Sequence, residues 1–180
     1  MSFDDDIKIV GDKPSATVRL NKIKEVLSTE YSKKEGDSAK KLGKIIALKY
    51  MDEIKSTEQS ELSEDFEVLS QIKLLLSFTA TVGFERFCKN DTLSGLAQKS
   101  FIDTLSKENE RLYKESSDMG AFSFYYLAFR RGGDIERRMG QTFAMLCSND
   151  GDPILQERGE ALYCWFSAVI RKTASELSVD

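Results

Sequence analysis

EDFEVLSQIKLLLSFTATVGFERFCK, residues 64–89, is the stretch on which the fold turns. Leu69, Ile72, Leu75, Leu76, Phe78, Ala80, Val82, Phe84 and Phe87 cover nearly the whole circumference of a helix drawn through it. A surface helix carries one apolar stripe, so a helix that is apolar all round has to be buried on most sides. The spacing therefore predicts a central helix, roughly 39 Å long at the usual rise per residue.

Periodicity on either side supplies the helices that would bury it. Upstream, Ser56 to Ser63 reads as a polar linker. Before it, Leu42, Ile45, Ile46, Tyr50 and Ile54 form a stripe opposed by Lys40, Lys41, Lys44 and Lys55. Ala16, Leu20, Ile23, Leu27 and Tyr31 form another, beginning at Pro14. Gly36-Asp37-Ser38 lies between the two stripes and predicts a break, giving two outer helices with one wet side each.

Downstream, Asn90 or Asp91 caps a fourth helix carrying Leu93, Leu96, Ala97, Phe101, Leu105 and Leu112. Ser117 or Asp118 caps a fifth, rich in Phe122, Phe124, Tyr125, Tyr126 and Phe129, which Gly132-Gly133 ends. Asp134 caps a sixth with Ile135, Met139, Thr142, Phe143 and Leu146 inward. Pro153 opens the last, which buries Leu155, Leu162, Phe166, Val169, Ile170 and Leu177. The sequence thus predicts an all-α protein: a compact bundle of about seven helices around the helix at 64–89. Residues 1–12 read as a flexible acidic tail and 13–180 as a single helical domain, which suits a chain of 180 residues.

Composition narrows the chemistry. With 41% hydrophobic and 31% charged residues the chain is of ordinary globular type, not a disordered one. No uncharged run approaches the roughly 20 residues of a membrane span, and the N-terminus is acidic where an export signal would be basic. Cys88, Cys147 and Cys164 are odd in number and set among apolar neighbours, as reduced thiols would be, which points to the cytoplasm. There is no histidine. That removes Ser-His-Asp and Cys-His mechanisms, histidine general bases and imidazole metal sites together. No metal site and no cofactor is expected, and the balance favours binding over covalent catalysis.

Charge is uneven along the chain. Residues 13–55 hold 11 basic and 6 acidic side chains, and residues 56–120 hold 7 basic and 12 acidic. Neither excess is large enough to point to nucleic acid as a partner. After Gly120 the chain uses six arginines and one lysine, whereas residues 13–55 use ten lysines and one arginine. Arginine suits partly buried, bidentate pairing, and lysine suits plain solvation.

Arg130-Arg131-Gly132-Gly133-Asp134-Ile135-Glu136-Arg137-Arg138 is the most suggestive segment. Arg130 and Arg131 close one helix, where cations are favoured, but Arg137 and Arg138 open the next, where the helix dipole opposes them. Something has to offset that: internal carboxylates, with Glu157 and Glu160 as candidates, or an external anion. The four arginines are the candidate ligand-binding residues, for an anionic small molecule or for another protein. Other motifs give less. Asn149-Asp150-Gly151-Asp152 resembles a calcium loop, but the pattern needs a ligand at Leu146, which leucine cannot supply. The aromatic clusters fall at helical spacing and read as core, and no glycine-rich nucleotide fingerprint is present. No 34-residue repeat recurs. The expected role is a helical protein-interaction or regulatory module, with an anionic-ligand protein or enzyme built on the arginine cluster as the alternative.

Overall fold

A computed structural model describes residues 16–60, 66–117 and 119–180, with side chains from residue 28 onward apart from 31 and 119. The tail at 1–12, the start at Pro14, the first stripe from Ala16 to Tyr31, the last part of the linker and the Asp118 cap lie outside what is described. The chain divides into two compact units, Met1–Lys34 and Glu35–Asp180, and every contact named below lies in the second.

Among the described residues there are seven helices: α1 (Ala16–Glu58), α2 (Phe66–Phe87), α3 (Asp91–Glu108), α4 (Glu110–Glu115), α5 (Met119–Arg130), α6 (Ile135–Leu146) and α7 (Pro153–Glu176). No strand occurs among the described residues. Helix α2 is the predicted central helix: every residue from Ile72 to Ala80 is buried, and it touches α3, α4, α5, α6 and α7. Phe78 packs against the rings of Phe122, Tyr125 and Phe129 on α5. Tyr50 of α1 and Phe84 of α2 both meet Phe101 of α3.

The helices differ from the sequence reading in two places. The break expected at Gly36-Asp37-Ser38 does not form, and α1 runs through it. One glycine inside a helix costs only about 1 kcal/mol, which tertiary packing outweighs. Gly36 is buried, and a Cβ there would stand 3.4 Å from Leu96 of α3. One turn pair further on, a Cβ on Gly43 would fall on the Ala97 carbonyl, so the absence of a side chain lets α1 and α3 meet backbone to backbone. Conversely, the single fourth helix is interrupted at Asn109. Its side chain accepts from the Leu112 N–H at 3.0 Å while its own N–H donates to Leu105 at 2.8 Å. The residue therefore ends α3 and caps α4, as short polar side chains do when they compete with the helix ladder.

The remaining punctuation follows the sequence. Gly132 and Gly133 adopt positive φ, 65° and 74°, and end α5. Asp134 caps α6 by accepting from Arg137 N–H at 3.1 Å. Asp152 caps α7 through Ile154 and Leu155, with Pro153 in the first turn. Helices α6 and α7 pack closely because Gly140 sits against the Gln156 carbonyl and Gly159 against Phe143. Among the described residues no helix is long and apolar enough to cross a membrane.

Candidate binding surface

The four-residue connection from Arg131 to Asp134 makes α5 and α6 a helical hairpin, and it distributes the four candidate arginines unequally. Arg130 lies over the Tyr126 ring on its own helix, 5.1 Å from the centroid. Arg137 is exposed. Arg131 and Arg138 come together as lining of a cleft of about 370 Å³ between the end of α5, α6 and the start of α7. Among the described residues none of the four has a carboxylate within 4.0 Å, so the expected pairing with Glu157 or Glu160 is not formed.

The cleft continues into an apolar face. Phe124 and Leu127 of α5 and Arg131 just beyond its end fall at steps of three and four, hence on one stripe. Phe124 and Leu127 are 50% and 56% exposed although α5 buries Ala121, Tyr125 and Ala128 on its other side. On α6, Arg138, Gln141, Thr142 and Met145 repeat the same spacing along the cleft, and Met145 is exposed as well. Isolated exposed apolar residues are ordinary; here two of them form a stripe beside a groove lined by arginines. Arg138 adds a further feature: its Nη1 is covered and has no hydrogen-bond partner among the described residues.

A larger groove of about 680 Å³ runs along α7. Tyr163, Ser167, Arg171 and Ser175 are four apart and form its long side, with Arg86 and Phe87 of α2 and Glu136 of α6 beside them. Arg86 lies over the Phe87 ring at 5.6 Å. Burial raises the Tyr163 hydroxyl pKa, the Arg86 charge opposes that rise and Glu136 adds to it. Both signs of charge therefore line this groove.

Sequence reasoning passed over Lys73, the one charged residue inside the buried run of α2. It is 5% exposed, and its Nζ pairs with Glu58 of α1 at 2.9 Å and Glu115 of α4 at 2.8 Å. Arg111 closes the set on the other Glu115 oxygen at 2.7 Å. Burial alone would lower the Lys73 pKa, but hydrogen bonds to Glu115 and Glu58 outweigh it and the pKa is raised. The same bonds, from Lys73 first and Arg111 second, hold the Glu115 carboxyl below its usual range. Two cations face two carboxylates, so the cluster is satisfied and ties three helices together. A lone charge in the middle of the apolar run of α2 was the sign available in the sequence, since such a charge has to be paired.

Two of the thiols are held towards the protonated form. Burial pushes Cys88 up to about 11, and Cys164 is raised by burial and by Glu136, Glu160 and Asp134. Among the described residues no three side chains of the cysteine or carboxylate type gather to hold a metal ion. No protein-family model, curated protein or solved structure matches the chain.

Proposed function

We propose that the protein is a helical interaction module that docks a helical segment of a partner protein on the α5–α6 face. The observation that carries this is the exposed Phe124–Leu127 stripe beside a cleft whose arginines have no carboxylate within 4.0 Å among the described residues. Apolar anchors set among arginines are what protein interfaces are enriched in. The test is a photo-crosslinking amino acid placed at position 124 and, as a control, at the exposed Leu48 on α1. The expected result is a discrete adduct from 124 alone, whose partner, once purified, binds the wild type and not Leu127→Asp. Equal adducts from both positions, or equal binding by the variant, would overturn the reading.

A second reading is favoured by the α7 groove, where Arg86 and Arg171 have no carboxylate within 4.0 Å among the described residues. Such a groove is of the size that takes small molecules and would suit an anionic one. A ligand bound only by the native state raises stability. Thermal shifts with phosphate-bearing metabolites, present in the wild type and absent in Arg171→Gln, would support it; no shift with any of them counts against it.

A further inference from the structure

Arg138 carries a nitrogen whose position the fold does not account for. Its Nη1 is covered from solvent and has no acceptor among the described residues. A buried donor left unbonded is uncommon and costly, the more so on a charged group. The residue also stands in the first turn of α6, where the helix dipole opposes a cation. Its guanidinium leans back over the turn, as helical side chains lean towards the N-terminus. There Nη2 lies 3.5 Å from where a Cβ of Gly133 would be. Gly133 has no side chain to hold it there, so rotation about the outer side-chain torsions can carry the guanidinium into the cleft that Arg138 already lines.

From this we infer that the occupant of the α5–α6 face is an acidic amphipathic helix, one aspartate or glutamate of which enters the cleft and takes the Arg138 guanidinium. The inference rests on reading that face as a docking surface. The partner's apolar side meets Phe124, Leu127 and Met145, and its carboxylate meets Arg138 with Arg131 as second donor. A carboxylate accepts two parallel N–H bonds from one guanidinium, which supplies the acceptor that Nη1 lacks. The lining also sets how much charge the cleft accepts. Arg131 and Arg138 are offset by Asp150, leaving one net positive charge. That matches a single carboxylate and is too little for a doubly charged phosphoryl group. Arg130 and Arg137, outside the cleft, would steer an acidic helix towards it.

Three synthetic helical peptides test this, each with leucines at one face and either glutamate, glutamine or lysine on the other. Anisotropy titrations would be run on wild type, Leu127→Asp, Arg138→Gln, Arg138→Lys and Arg137→Gln, with the circular dichroism and melting of each variant checked first. The glutamate peptide should bind at least about tenfold more tightly than the glutamine peptide, since hydrogen bonds to charged groups are worth that much. That preference should collapse in Arg138→Gln, fall part-way in Arg138→Lys, which keeps the charge and loses the fork, and persist in Arg137→Gln. If glutamate and glutamine peptides bind alike and both fail on Leu127→Asp, the docking surface stands and the acidic partner is overturned. A glutamate preference untouched by either Arg138 variant would overturn the role of Arg138. If no peptide binds, or Leu127→Asp changes nothing, the docking face falls and this inference with it. The glutamate-to-glutamine comparison on wild type needs no protein variant, so it decides the matter even if Arg138→Gln folds poorly.

Discussion

The hydroxyl of Tyr50 donates to the Lys73 carbonyl at 3.1 Å and bonds the Ser116 hydroxyl, whereas the equally buried hydroxyl of Tyr125 has no partner among the described residues. Burial raises the pKa of both, and among the described residues only the Tyr50 hydroxyl is hydrogen-bonded. Removing a bonded hydroxyl leaves its partners unmet; removing an unbonded one relieves a desolvation cost. Tyr50→Phe is therefore expected to lose about 1–2 kcal/mol, and Tyr125→Phe to lose nothing or gain up to about 1 kcal/mol. Denaturant titration of the two variants checks this, and equal losses would contradict it. At this scale the sequence was informative about which side chains go inside and much less about which polar groups meet. Burial follows from periodicity, which is local. The meeting of Tyr50 with Ser116, or of Lys73 with Glu58 and Glu115, joins residues far apart in the chain, and no spacing rule encodes it.

Glycine shows most clearly how elements were and were not legible. Gly132-Gly133 reads as a terminator and is one, because both residues take positive φ. Gly36 reads in the same way but lies inside α1, where its small size serves packing against Leu96. Nothing local separates the two cases; the difference lies in a neighbouring helix more than fifty residues downstream. Asn109 misled in the opposite sense, since inside the polar run from Ser106 to Arg111 it looks like one more exposed position between Leu105 and Leu112 and is in fact a junction. A pair of substitutions tests this account. Gly36→Ala leaves its new Cβ at ordinary contact distance and gains helix propensity, so it should be neutral or stabilising by up to about 1 kcal/mol. Gly43→Ala places a Cβ 2.9 Å from the Phe101 nitrogen, where backbone cannot yield, and should cost about 1–3 kcal/mol as overpacking does. Thermal or denaturant unfolding reads both. If Gly36→Ala were the more damaging of the two, the close contact has been assigned to the wrong glycine.

For the molecule as a whole, the Lys73 cluster connects stability to pH, because it joins α1, α2 and α4 through ionised groups. The Glu115 carboxyl is held below its ordinary 4.5, so its contribution is complete above 4.5 and is lost as the pH falls through the lower folded value. Lys73 is raised above its ordinary 10.5, so its contribution is complete below 10.5 and is lost as the pH rises through the folded value. The stability difference between wild type and Glu115→Gln should therefore be flat across neutral pH and should shrink on the acid side. A difference that stayed constant into strong acid would mean that the carboxylate is not stabilised by folding. The architecture that this cluster braces was legible from residues 64–89, because an all-round apolar helix dictates its own burial. The candidate surface was legible only as four arginines in a row of nine; which two share a cleft depended on how the hairpin turned. Trp165 has one consequence for how all this can be watched. It is the single tryptophan, it stacks on Phe166 at 5.5 Å, and Phe166 in turn lies against Tyr50 in the core. Its emission therefore comes from one place on α7, outside the lining of the α5–α6 cleft. Trp165 is 42% exposed in the fold, so unfolding, which separates the two stacked rings, should change the intensity of that light more than its colour, while a helix seated on α5 and α6 should leave both alone. The protein carries its own optical gauge of folding, and it stays silent on docking.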